Sequence, residues 1–212
     1  MTIMMEKALE KAFDNHVRVL TASLQVLREP VQKAAELISQ ALVNQGTLFW
    51  CGNGGSAADS QHLAAEMIGR FEKDRPPLRS IALTTDSSVL TCIGNDYCFE
   101  DVFSRQLEGL GRPGDVLVAI STSGRSENIR RVLIKARQLE VTTVALLGKG
   151  GGPCLELPDI ALVVPSDCTA RIQEMHILLG HVLCELIEWK LGFRQDHFTQ
   201  EEAPILSATS SD

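Results

Sequence analysis

No CxxC pair occurs among the six cysteines, which are scattered at Cys51, Cys92, Cys98, Cys154, Cys168 and Cys184. Their spacing gives neither a zinc knuckle nor a disulfide framework, so buried thiols in a reducing compartment are expected. No apolar run approaches the ~18–20 residues that span a bilayer, and no membrane is expected as a partner. The opening stretch, "MTIMMEKALEKAFDNH", is charged and patterned as a helix, without the apolar core of a secretory signal; a cytoplasmic protein is the expectation. A basic stripe is missing as well. Acidic residues outnumber basic ones 27 to 20, and the formal charge of −7 argues against a nucleic-acid surface. The same charge requires that an anionic ligand be held by local groups, because the global field repels it. Aromatic residues make up only 5%, yet 44% of the 212 residues are hydrophobic, enough for one well-buried domain.

What is present is an order of elements. Residues ~3–26 and ~30–45 carry apolar residues at helical spacing, and Pro30 divides them, which predicts two amphipathic helices. Alternation follows: a strand at 47–51, a helix over about 55–70, a strand at 80–84, helical material through 86–111 and a strand at 115–120. A helix at 126–139, strands at 142–147 and 159–164, and a long helix over ~169–191 ending at Gly192 complete the pattern. Short apolar β-rich strands alternating with helices predict an α/β three-layer sandwich, a five-stranded parallel sheet covered on both faces. Residues 1–193 read as one domain and 194–212 as a polar, mobile tail. Ligands in such folds bind beyond the carboxyl ends of the strands, so the stretches 52–56, 84–88 and 121–126 should converge.

The first of these, Gly52-Asn53-Gly54-Gly55-Ser56, follows a strand and opens a helix. Its glycines allow a ligand close to the backbone, and the helix amino terminus offers free N–H groups to an anion. A tight turn that needs glycine for its own geometry is the alternative. The spacing Gly52-x-Gly54-x-x-Ala57 also fits the loose dinucleotide fingerprint. That fingerprint wants an acidic residue about 20 positions on, whereas Asp86, beyond the next strand, is 34 residues past Gly52. No GK[ST] follows, which excludes a Walker A loop. The third stretch decides more. Ser121-Thr122-Ser123-Gly124-Arg125-Ser126 gathers four hydroxyls, a glycine and a helix start in six residues, without a lysine. Such a cradle suits a phosphate monoester; an ST-turn with a helix cap would need only one hydroxyl.

Groups able to do chemistry stand on two helices. His62 and Glu66 are four apart on the helix leaving the glycine loop, so they share a face. Such a pair can be a surface hydrogen bond, two metal ligands, or a base with its neighbour. The closing helix adds Gln173, His176 and His181 among Ile, Leu, Met and Val. A buried imidazole needs a partner, so at least one of these histidines should be hydrogen-bonded or ligated. Gln173 and His181 differ by eight residues, about 80° around the axis and ~12 Å along it, which leaves room for one to serve a neighbouring subunit.

With these pieces in hand, the sequence resembles the sugar isomerase (SIS) domain family over nearly its whole length, to about Phe193. The resemblance is carried by "CGNGGSAADSQH", Gly94-Asn95-Asp96, "GDVLVAISTSG" and "ARIQEMH" with His181. Within the family it is most similar to members that convert D-sedoheptulose 7-phosphate to D-glycero-D-manno-heptose 7-phosphate. That reaction is the first step towards the activated heptose of lipopolysaccharide or surface polysaccharide. The resemblance implies a homotetramer with active sites at subunit interfaces. It also implies roles: Asn53, Gly54 and Gly55 contact substrate, Asn95 and Asp96 form a sugar-contacting turn, and Ser121, Thr122, Ser123 and Ser126 hold the phosphate. His62, Glu66, Gln173 and His181 match the ligands of one zinc ion per subunit, Glu66 and Gln173 also touch substrate, and Glu66 and His181 match the catalytic pair. Arg125 departs from the pattern, standing where a small polar residue such as asparagine is expected.

Rival classes can be weighed on the same residues. A non-catalytic relative that binds the bacterial replication initiator lacks the glutamate and histidine that stand here as Glu66 and His181. A sugar-phosphate-sensing transcription factor needs an appended basic helix-turn-helix, for which the first 45 residues, charge-balanced rather than basic, leave no room. A nicotinamide oxidoreductase rests on the loose fingerprint alone. An aldose–ketose isomerase acting through an enediolate is the reading the sequence favours.

Overall fold

The five apolar runs form five strands in the computed structural model, which describes residues 2–194. These are β1 (Leu48–Gly52), β2 (Ser80–Ala82), β3 (Val116–Ser121), β4 (Thr142–Leu147) and β5 (Ile160–Val163). All pair in parallel, in the order β2-β1-β3-β4-β5. Alternate residues leave opposite faces, as the pleat requires. Leu48, Trp50, Val116, Val118, Ile120, Val144 and Leu146 face one core, built with α1 (Thr2–Val43), α2 (Gly55–Ile68) and α6 (Thr169–Lys190). Phe49, Cys51, Leu117, Ala119, Ala145 and Leu147 face the other, with α3 (Ser87–Asp96), α4 (Ser104–Leu110) and α5 (Glu127–Gln138). The three layers expected from the sequence are therefore present. The one buried polar edge of Trp50 is satisfied, its indole N–H donating to Ser80 Oγ at 2.9 Å.

The expectation of two helices before the sheet is corrected. Residues 2–43 form a single α-helix with Pro30 inside it. An internal proline costs about 3 kcal/mol through its missing N–H and its clash with the preceding turn. Here Leu27 and Val31 lie on either side of Pro30 at helical spacing, and the buried stripe continues through Ala34, Ala35, Ile38 and Leu42. Burying each large side chain contributes roughly 1.5–3 kcal/mol, so keeping the stripe in register outweighs the proline.

The cysteine expectation holds in part. Cys51, Cys154 and Cys184 are buried and burial pushes the Cys184 thiol up to about 12, but Cys92 and Cys168 are exposed and Cys98 is half-buried. Cys92 lies on the exposed side of α3 and Cys168 on the exposed turn before α6. α6 stops where predicted, with Gly192 just beyond it at φ 77°. The expected tail lies outside the described residues from 195 onward. Among the described residues, no helix is long and apolar enough to cross a membrane.

Candidate active site

The sheet order reverses direction between β1 and β3, and at such a switch point the loops after the two strands part to leave a crevice. The loop after β1 is the glycine loop, and the loop after β3 is the hydroxyl-rich one. They meet through two side chains. Asn53 and Asn128 exchange amide hydrogen bonds, both 2.9 Å, and Asn128 is 2% exposed. The loop after β2 joins them: Thr84 Oγ1 donates to the Ala57 carbonyl at 3.3 Å, and Gln61 donates to the Thr84 carbonyl at 3.1 Å. The three stretches converge as the topology predicts. Asp86, the acidic residue of the loose dinucleotide fingerprint, is occupied as the cap of α3, accepting the Val89 N–H at 3.0 Å.

The hydroxyl loop has the chemistry of an anion cradle. Ser121 Oγ accepts the Gly124 N–H at 3.1 Å, and Ser123 Oγ accepts the Arg125 N–H at 3.2 Å. A hydroxyl that accepts an N–H keeps its own O–H to donate. Ser126 holds the cap position of α5, yet its side chain makes no cap hydrogen bond; Oγ turns to within 3.4 Å of Ser121 Oγ. The first N–H groups of α5 thus lack a side-chain cap, and its amino end carries the partial positive charge that favours an anion. Glu127, on the first turn, would oppose that anion. Arg130 forks onto it with two bonds of 2.7 Å and Arg131 adds one of 3.0 Å, drawing its carboxyl down to about 2. Gly124 makes the turn with φ 60°, and a Cβ there would fall 1.8 Å from the Gly151 carbonyl oxygen. The run Lys149–Cys154, whose sequence marks only a loop, is therefore the floor on which the cradle rests, tied by Cys154 N–H to the Gly124 carbonyl at 3.1 Å.

A second centre lies along the helices. His62 Nε2 is 3.1 Å from Glu66 Oε1 and 3.3 Å from His181 Nε2, and the three ligand atoms lie within 4.8 Å of one another. His62 Nε2 carries at most one proton and cannot donate fully to both neighbours. A cation between them resolves that conflict, and the 3.1 and 3.3 Å spacings resemble the edge of a tetrahedron with ligand bonds of about 2.0–2.1 Å. Two imidazoles and a carboxylate are a donor set suited to zinc. The residues present fit the metal.

Around them stand groups that the sequence did not single out. Phe71 stacks on His181 with ring centroids 5.6 Å apart and planes at 28°. Asp59, half-buried beside the two histidines, has its carboxyl raised by burial while they pull the other way. The His176 imidazole, which the sequence did single out, is a fully buried core histidine: Nε2 donates to the Leu147 carbonyl at 3.1 Å, Nδ1 has no partner among the described residues, and burial lowers it to about 4.

The remaining candidates lie apart. His62 and Glu66 are seven and eleven residues along α2 from Gly55, ~10 and ~16 Å by helix rise, so they stand well below the glycine loop. Gln173 instead sits at the head of α2: a Cβ on Gly55 would come 2.7 Å from its Nε2. No hydrogen bond among the described residues links the Gln173 amide to His62, Glu66 or His181. Asn95 and Asp96 occupy the exposed last turn of α3, the former donating to the latter at 2.8 Å, rather than a separate turn. Arg125 is exposed at the rim of the cradle.

Comparison with known proteins agrees with this architecture. Residues 12–148 match the SIS domain family. The chain is 52% identical over 187 residues to the phosphoheptose isomerase of Bordetella avium, covering 87% of this chain and 95% of that one. It is 53% identical over 180 residues to phosphoheptose isomerase 1 of Campylobacter jejuni, covering 85% and 96%. The structure of phosphoheptose isomerase from Neisseria gonorrhoeae superposes with a TM-score of 0.83 at 46% identity, over 87% of this chain and 99% of that one. With a five-stranded parallel sheet of SIS topology and this degree of identity over most of its length, the chain belongs to the phosphoheptose isomerase family of SIS-domain proteins.

Proposed function

We propose that Glu66 and His181 carry the proton transfers of an aldose–ketose isomerisation on a sugar phosphate held by the 121–126 cradle. The chain is an isomerase: it interconverts D-sedoheptulose 7-phosphate and D-glycero-D-manno-heptose 7-phosphate in heptose biosynthesis. That exchange moves one proton between C1 and C2 and another between their oxygens, through an enediolate. A single carboxylate on one side of the sugar can take the proton from C1 and return it to C2, the role of Glu66. An imidazole serves the oxygens, the role of His181. Ser121, Thr122, Ser123 and Ser126 bind the phosphate, while Asn53, Gly54, Gly55, Asn95, Asp96 and Gln173 bind the sugar. The observation that carries this reading is the convergence of the His62, Glu66 and His181 side chains within 4.8 Å of one another.

Zinc is the ion that His62, Glu66 and His181 would hold, with Gln173 as fourth ligand, and when bound it supplies Lewis-acid polarisation of substrate oxygens. The ~16 Å of helix between Gly55 and Glu66 favours a site completed across a subunit boundary in a homotetramer. Apolar surface supports such an assembly: Met5, Leu9, Phe13 and Val17 are exposed at four-residue spacing along α1. An apolar cavity of about 280 Å³ between α1 and α6 continues that surface. A cytoplasmic enzyme with one domain over residues 1–193 fits this picture. The test is purified protein with sedoheptulose 7-phosphate, followed by NMR for the aldose. No aldose signal from the zinc-loaded tetramer would refute the reading, and a fully active monomer after deletion of residues 1–25 would refute the assembly.

A further inference from the structure

The segment after α2, residues 69–75, is fastened by charges wholly out of solvent. Arg75 and Glu188 are both 0% exposed at the side chain and pair at 2.8 Å from Nε to Oε1. Glu188 accepts three further bonds, from the N–H of Phe71 at 3.2 Å and from those of Glu72 and Lys73 at 3.4 Å each. Arg75 donates through Nη1 to the carbonyls of Met67 (2.9 Å) and Pro76 (3.2 Å), and through Nη2 to the carbonyl of Glu66 (2.9 Å). A buried ion pair gives little net stability over apolar packing, because desolvating two charges costs several kcal/mol. Its placement suggests a different use.

Each ion holds one side of the His62–Glu66–His181 centre. The Arg75 guanidinium grips the backbone of Glu66 itself, at a helix end where the carbonyl would otherwise lack an intrahelical partner. Glu188 follows His181 on α6 by seven residues, two turns along the same face. Glu188 also fixes the backbone of Phe71, whose ring lies on the His181 imidazole. One buried pair thus joins the backbone of the carboxylate on α2 to the packing of the imidazole on α6.

We infer that Arg75 and Glu188 are positioning residues for the isomerisation, holding Glu66 and His181 at a fixed separation, with Phe71 as the flat face that orients the imidazole. This rests on Glu66 and His181 being the proton-transferring pair. Misplacing a reacting group by 1 Å can cost about 10²-fold in rate, so a modest loosening of this brace should be visible in turnover. The phosphate cradle hangs on β3 and α5, away from the brace, so substrate affinity should be spared.

The experiment compares Arg75→Lys, Phe71→Leu and Glu66→Gln with wild type in the zinc-loaded tetramer. Lysine keeps the charge opposite Glu188 but cannot also fork to the Glu66 carbonyl; leucine keeps apolar burial but loses the flat ring. In folded Arg75→Lys and Phe71→Leu, kcat should fall roughly 10–100-fold while KM stays within about twofold. A kcat within about twofold of wild type in both folded variants, beside an inactive Glu66→Gln, overturns the brace. So does a loss of kcat matched by an equal rise in KM, or a lowered Tm with unaltered kinetics, which marks a purely structural ion pair. Should Arg75→Lys not fold, Phe71→Leu decides by the same criteria, since it removes neither ion. A fully active Glu66→Gln instead removes the underlying assignment of the base.

Discussion

The hydroxyl-rich cradle and the His62–Glu66–His181 centre are built in opposite ways. The cradle is one continuous run, residues 121–126, whose hydroxyls accept the N–H groups of their own turn. Its conformation is local, and only the floor at Gly151 and the Asn128 link come from elsewhere in the chain. The other centre joins residues 119 positions apart, His62 and His181, across two helices. Nothing local holds those together; their meeting depends on helix packing and on a buried ion pair. A site made of one turn should fail by losing affinity, whereas a site made of two helices should fail by losing rate.

The sharpest test of that contrast is Glu66→Gln. Glutamine keeps the shape and some hydrogen bonding, so KM should change little while kcat falls by about 10²–10⁴, the usual weight of a general base. Wild-type turnover in D₂O should place deuterium at C2 of the aldose. Full activity in Glu66→Gln, with zinc occupancy verified, sinks the assignment; joint loss of activity and zinc says the carboxylate acts first as a ligand. His181→Gln beside it should stop turnover while still exchanging the carbon-bound proton.

At the cradle the expected signature reverses. Ser121→Ala combined with Ser123→Ala removes two hydroxyl donors to a charged phosphate, each worth about 1.5–3 kcal/mol. KM should therefore rise by at least about 10²-fold with kcat nearly unchanged, while the loss of the two N–H bonds within the turn lowers stability by far less than it lowers affinity. An unchanged KM in the folded double variant would move the phosphate elsewhere.

His176 offers a test in which neither site is touched. It is neutral in the fold, lowered to about 4 by burial against an ordinary value of 6.5. Below pH 6.5 the unfolded chain binds a proton there that the folded chain refuses, so stability rises with pH between about 4 and 6.5. Acidification across that window should remove up to roughly 3 kcal/mol through this residue alone. Between pH 7 and pH 4.5 the urea midpoint should fall further in wild type than in His176→Asn. Equal falls would show that His176 does not govern the acid limb.

The same contrast explains what could be read from the sequence. The strands along the chain, the three converging loops and the hydroxyl-rich turn follow from local patterns, and so does the i,i+4 pairing of His62 with Glu66. The single long α1 did not, because Pro30 signals a break locally while the stripe from Leu27 to Leu42 resists it globally. Arg75 and Glu188 went unremarked in the sequence, since burial of a charge leaves no periodic mark when its partner is 113 residues away. Asn128 was equally silent, one polar residue in the first turn of a helix. Family resemblance supplied the link from His62 and Glu66 to His181; spacing alone could not.

The smallest expected effect tests whether helix packing, rather than the ligands themselves, sets the two-helix centre. Gly180 precedes His181 and lies against α2, where a Cβ would come 2.5 Å from Leu63 Cδ1 and 2.6 Å from its Cδ2. Leu63 is itself fully buried beside His62, so it cannot swing into solvent to make room. Gly180→Ala should therefore push α2 and α6 apart by a fraction of an ångström, an overpacking that typically costs about 1–3 kcal/mol. At about 2–4 °C per kcal/mol for a chain of this size, Tm should fall measurably but the fold should survive. Because the insertion lies between His62 and His181, zinc affinity should drop along with kcat, while KM for the phosphosugar holds. Zinc titration of the folded variant decides between the two. A lowered Tm with wild-type metal affinity would mean that the side chains re-find their positions, and that the spacing of α2 and α6 is not what sets the centre.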